Sequence, residues 1–159
     1  MDETQFSQSH KTFLSLLNAN RVAYLLVGGF AVRYYGYLRT THDLDLWIST
    51  HAWNAEKLVQ TCHAFGAEVV ELTPEAFQHE RRIICIDIPP INLEILDPIL
   101  GQKPDVLARL NSGRTERIEI LTVQSGVNFE ECFSRRVEGV IDGMAVSIIS
   151  LADLKSIKQ

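Results

Sequence analysis

A chain of 159 residues with 46% hydrophobic and 22% charged side chains is long enough for one domain with a real core. Its formal net charge of −5 excludes a global basic field for collecting nucleic acid, though not a local basic patch. Three widely spaced cysteines (Cys62, Cys85, Cys132) form no CxxC and no zinc pattern, and the polar start MDETQFSQSHK is not a secretory signal, so reduced thiols in a cytoplasmic protein are expected.

Thr4 to Asn20 reads as a helix, with Phe6, Phe13, Leu14 and Leu17 on one face. Val22 to Val27 is an apolar run of strand length, broken by Gly28-Gly29; the whole apolar stretch to Val32 is too short to span a bilayer. Phe30 to Tyr35 forms a helical turn or two, stopped by Gly36. Asp43 to Ile48 opens with polar–apolar alternation, the period of a strand. His51 to Phe65 is helical, with Trp53, Leu58 and Cys62 as core positions and Gly66 closing it. Thr73-Pro74-Glu75 starts a helix with Pro at its first position. Arg82 to Ile88 is a β-rich run, Pro89-Pro90 turns the chain, and Ile91 to Leu96 returns it. A short helix over Pro104 to Leu110 and a turn at Asn111-Ser112-Gly113 lead to a strand over Arg117 to Val123. Asn128 to Phe133 is a short helix, and Asp142-Gly143 between apolar alternations marks a hairpin over Val137 to Ile149. Ser150 caps a last helix, Leu151 to Lys158. No linker, repeat or low-complexity tract divides residues 1–159, so a single domain is expected. Strands mixed with helices and joined by tight turns predict an α/β (α+β) fold, a mixed and mostly antiparallel sheet flanked by helices.

Asp43-Leu44-Asp45 carries the first chemical signal. Side chains two apart on a strand share a face, so the carboxylates stand side by side while Leu44 points to a core. Two such acids repel unless a cation neutralises them, and Mg²⁺ commonly takes one or two carboxylates plus substrate phosphates. The plain alternative is a solvated strand edge. Gly28-Gly29 carries the second signal. Between a strand and a helix start, backbone N–H groups can hold a triphosphate, and no Cβ blocks the approach. The plain alternative is a tight turn without a ligand; no Gly-Lys-Ser/Thr follows, so it is not a P-loop.

VGG, thirteen residues, then DLDL resembles the signature of the polymerase-β-type nucleotidyltransferase superfamily. The longer stretch LLVGGFAVRYYGYLRTTHDLDLWI, with VNFEECFSRR and DGMAVSIISLADLKSIK, resembles its small bacterial branch, some members of which are related to toxin–antitoxin enzymes. The resemblance implies a nucleotidyltransferase fold, two Mg²⁺ ions and an NTP as substrate. Gly28 and Gly29 would touch the triphosphate, and Asp43 and Asp45 would bind both metals. A third carboxylate would bind metal and help activate the acceptor hydroxyl. Glu94 in PPINLEIL and Glu119 in RIEILTVQSGVNFEE are both candidates. The Pro-Pro turn and the distance from Asp45 favour Glu94, which is the preferred assignment; the following TVQSGVNFEE favours Glu119. Asp87 is a more distant candidate. Arg39 would hold a phosphate and Thr41 would fix the loop, with Lys155 a further phosphate contact. His42 beside the acids and the cluster Tyr34, Tyr35 and Tyr37 read more simply as structural or exposed.

The implied reaction moves a nucleoside monophosphate to a hydroxyl of an acceptor: a small molecule such as an aminoglycoside-like antibiotic, a protein side chain, or an RNA 3′ end, the last disfavoured by low basicity. A competing reading is a non-catalytic nucleotide-binding module, or a toxin component that needs a partner, either an antitoxin-type protein or a second copy. Related chains continue past the LADLKSIK-like helix; this sequence ends there, either short by nature or truncated.

Overall fold

The structure, a computed structural model, describes residues 6–37, 43–67, 72–79, 81–87, 93–96, 117–124 and 127–157; at 87 and 93–96 only the backbone is described. Helix α1 (Gln8–Ala19) starts at Ser7, whose Oγ accepts from His10 N at 3.1 Å. Phe13, Leu14 and Leu17 form its buried face, and Phe6 is buried beside it. Strand β1 (Tyr24–Val27) is buried at all four positions, as expected of a continuous apolar run in the middle of a sheet. Helix α2 (Gly28–Tyr34) follows without a loop, so the glycine pair forms its first turn rather than preceding it.

Strand β2 (Asp43–Ile48) has the predicted bounds. Helix α3 (Ala52–Phe65) ends at Gly66 in the left-handed region, φ 112°, where only glycine is free of strain. Its buried face is Asn54, Ala55, Leu58, Thr61 and Cys62. Trp53 was expected in the core but is 50% exposed, because it sits one residue off that face, with Lys57 over its ring at 5.1 Å. Asn54 takes a core place instead. It accepts from Ala23 N at 2.7 Å and donates to Ala23 O and Ser49 O, tying α3 to β1 and β2. The helix expected at Pro74 is one 3₁₀ turn, Pro74–Phe77.

The remaining described elements are β3 (Ile83–Asp87), β4 (Leu93–Leu96), β5 (Arg117–Leu121), α4 (Phe129–Ser134), β6 (Val137–Ile141), β7 (Met144–Ile148) and α5 (Leu151–Ile157). The helix expected over 104–110 and the turns at 89–90 and 111–113 lie outside the described residues. The β6–β7 hairpin turns at Asp142 and Gly143, both at positive φ (52° and 82°), as a two-residue turn matching strand twist requires.

The described strands form one seven-stranded sheet in the order β4-β3-β5-β2-β1-β7-β6. Four of the pairings are antiparallel, and two, β1 with β7 and β2 with β5, are parallel. The architecture is therefore a mixed, mainly antiparallel sheet flanked by helices. Leu44 and Leu46 on β2, Ile118 and Ile120 on β5, and Ile84 and Ile86 on β3 are fully buried and in register across three strands. The residues between them alternate to the opposite face, and that face carries the acids. No helix among the described residues is long and apolar enough to cross a membrane.

Candidate active site

The opposite face is set by the register of β2 and β5. Asp43 pairs with Arg117, Asp45 with Glu119, and Trp47 with Leu121. Side chains of directly paired residues leave a sheet on the same side, so Asp43, Asp45, Arg117 and Glu119 share one patch. Asp45 is also the register partner of Val27, the last residue of β1. That pairing brings the acid against the glycine turn. Gly28 has φ +72°, and a Cβ there would lie 2.9 Å from Asp45 Cβ and overlap the Asp45 carboxylate. Glycine at 28 is thus required twice, by backbone conformation and by the closeness of the acid. Gly29 is buried in the same turn.

The third-carboxylate candidates are placed very differently. Glu119 stands one strand from Asp45, in direct register. Glu94 pairs with Cys85 on β3, and Cys85 pairs in turn with Glu119. Glu94 is therefore three inter-strand steps from Asp45, about 14 Å at roughly 4.8 Å per step. The strand order brings Glu119 to the acid pair and leaves Glu94, the preferred assignment from sequence, at the far side of β3. Two apolar-flanked glutamates look alike in sequence; which one neighbours β2 is a matter of long-range pairing. Asp87 is the register partner of Arg117 on β3.

Arg117 is a further member of the patch, and the motifs that carry the acids assign it no role. It is 5% exposed, and its Nη1 lies 3.3 Å from Glu119 Oε2 and 3.9 Å from Asp43 Oδ2. The signal was present, since Arg117 and Glu119 are two apart on a predicted strand.

A cleft of about 230 Å³ opens over this patch. Its polar wall is Gly28, Asp45, Glu119 and Gln124, and Leu154 and Ile157 of α5 supply an apolar wall. Helix α5 is held in place by Arg135, whose Nε and Nη2 donate to Asp153 at 2.9 and 3.0 Å, and by Ser150 Oγ, which accepts from Asp153 N. The Arg135 fork holds the Asp153 carboxyl below its usual value, with partial burial opposing.

Arg39, Thr41 and His42 lie outside the described residues. Lys155 is exposed on α5. Tyr35 is structural: its hydroxyl donates to Ile149 O at 2.7 Å, and burial raises its pKa. Tyr34 packs edge-on against Tyr35, while Tyr37 is exposed.

Asp43, Asp45 and Glu119 are hard oxygen donors, the chemistry Mg²⁺ prefers, on one face beside a glycine with no side chain. In that respect the residues fit the ion. Among the described residues, however, no three or more His, Cys, Asp or Glu side chains converge as a ready metal-binding group. Arg117 already pairs with two of the acids.

Neither the curated proteins nor the solved structures contain a match to the chain. A family described as aminoglycoside-2''-adenylyltransferase matches residues 11–158, nearly the whole length, including the glycine turn, both aspartates and both glutamates. The chain belongs to this family of nucleotidyltransferases.

Proposed function

We propose that the protein transfers a nucleoside monophosphate from an NTP to a hydroxyl of a small acceptor and releases pyrophosphate. The observation that carries the reading is the register of Asp45 with Glu119 beside the Gly28 turn. Asp43, Asp45 and Glu119 are the proposed acids, and Asp43 and Asp45 would hold Mg²⁺ with Glu119 completing the set. Mg²⁺, when bound, neutralises phosphate charge and favours the attacking alkoxide. The backbone at Gly28 lets the phosphates approach the acids without meeting a side chain. Glu119 accepts the acceptor's proton as the acceptor oxygen bonds to the α-phosphorus. The bond from that phosphorus to the bridging oxygen breaks, and the electron pair leaves with pyrophosphate. The cleft is smaller than the roughly 300 Å³ of a typical ligand pocket, so it suits the phosphate end of the nucleotide.

The family's description supports ATP as the donor and an aminoglycoside as the acceptor. A net charge of −5 suits a polycationic acceptor. The test is transfer of labelled AMP from ATP to a panel of aminoglycosides, with and without Mg²⁺. Wild type should label at least one of them only when Mg²⁺ is present, and Asp43→Asn and Asp45→Asn should abolish labelling. Full transfer by both variants would sink the assignment.

A second reading, a nucleotide-binding module without turnover, draws on Arg117, which already neutralises two of the acids. Calorimetric ATP binding without pyrophosphate release for any acceptor or added partner protein would favour it over the enzyme or a partner-dependent toxin component.

A further inference from the structure

Arg117 brings a guanidinium to the acid face with almost none of the residue exposed. A charge so placed is stable only if carboxylates face it. Asp43, Asp45 and Glu119, crowded on two neighbouring strands, need a cation for the same reason. Arg117 meets part of that need through Nη1, shared between Glu119 and Asp43 at 3.3 and 3.9 Å. We propose that Arg117 is a displaceable internal counter-ion: it holds Asp43 and Glu119 together until a divalent cation arrives, and it competes with that cation for their oxygens. The proposal rests on the assignment of these acids made above.

Two consequences follow. Divalent cations bind the nucleotide-free protein weakly, since each must displace or sit beside a fixed positive charge. A triphosphate offers the guanidinium a new bidentate partner, so metal and nucleotide favour each other's binding. A purely structural Arg117 has the opposite signature, because its loss would loosen the acids and weaken metal binding.

The experiment is Mn²⁺ binding to the full chain without nucleotide, by calorimetry, for wild type, Arg117→Gln, Arg117→Lys and Asp45→Asn. Arg117→Gln should bind Mn²⁺ about tenfold more tightly than wild type, the scale of one lost charged contact. Arg117→Lys, which keeps the charge, should stay near wild type, and Asp45→Asn should lose most of its affinity. Thermal melting gives a second readout if Arg117→Gln is marginally folded: Mn²⁺ should raise its Tm more than that of wild type. Equal or weaker affinity in Arg117→Gln, with no larger Tm rise, overturns the proposal. If wild-type binding depends on Asp45 while Arg117→Gln changes nothing, the counter-ion role alone fails. If binding is indifferent to Asp45→Asn, the assignment of the acids fails and the counter-ion role with it.

Discussion

Asp45 and Glu119 are direct register partners on adjacent parallel strands, and their carboxylates leave the sheet on the same side with no residue between them. Parallel pairing of β2 and β5 needs a long connection, and 68 residues (49–116) lie between Ile48 and Arg117. The acid patch exists only when that pairing forms. Stability of the central strands and integrity of the site are therefore the same property.

Gly28 should tolerate no side chain. At Gly36, φ is +96° and nothing lies within 4 Å of a Cβ, so Gly36→Ala carries only the backbone cost, about 1 kcal/mol. Gly28→Ala carries that cost and the collision with the Asp45 carboxylate. Thermal melting should show Gly28→Ala losing clearly more stability than Gly36→Ala, and calorimetry should show it losing ATP binding while Gly36→Ala keeps it. Equal behaviour of the two variants would count against a phosphate approach at Gly28.

Asn54 anchors the strands that carry the site. Replacing it with Leu leaves Ala23 N and Ser49 O without the partner each has now, at positions buried from water, while Ala23 O keeps only its bond from Ser49 N. Unmet buried groups cost about 1–3 kcal/mol each, and neighbouring losses overlap, so a destabilisation of about 3 kcal/mol is expected for Asn54→Leu. Urea denaturation measures it; a loss under about 1 kcal/mol would mean that the network is dispensable.

Asp153 should make stability acid-sensitive. Its folded pKa lies below its unfolded value because Arg135 grips the carboxylate. A depressed folded pKa contributes stability above the unfolded value, about 3.9, and that stability is lost as pH falls through the folded value. Arg135 is half exposed, so water and salt screen the pair and the effect is small. The stability advantage of wild type over Asp153→Asn should be constant near neutrality and shrink below about pH 4. An advantage that grows on acidification would contradict the pairing.

Much of this was legible from residue patterns. The bounds of β2 follow from DLDLWI, where alternation and apolar content agree, and the hairpin follows from Asp142-Gly143. Two kinds of feature were not legible. Trp53 is exposed where a core place was expected, and Asn54 is buried, because a helix face is set to within one residue by its neighbours, and a polar residue enters a core when it satisfies strand ends. Which of Glu94 and Glu119 neighbours Asp45 is a matter of strand order, which alternation within one strand does not encode. Arg117 stands two residues from Glu119 on a predicted strand, but its role as the acids' compensating cation depends on the pairing with β2.

The most direct measurement compares Glu119→Gln with Glu94→Gln for Mg²⁺-dependent pyrophosphate release from ATP with an aminoglycoside acceptor. Both substitutions keep size and remove one charge. Losing the group that takes the acceptor's proton should slow release at least about 100-fold in Glu119→Gln, while Glu94→Gln stays close to wild type. Loss of activity in Glu94→Gln with retention in Glu119→Gln would contradict the site described here.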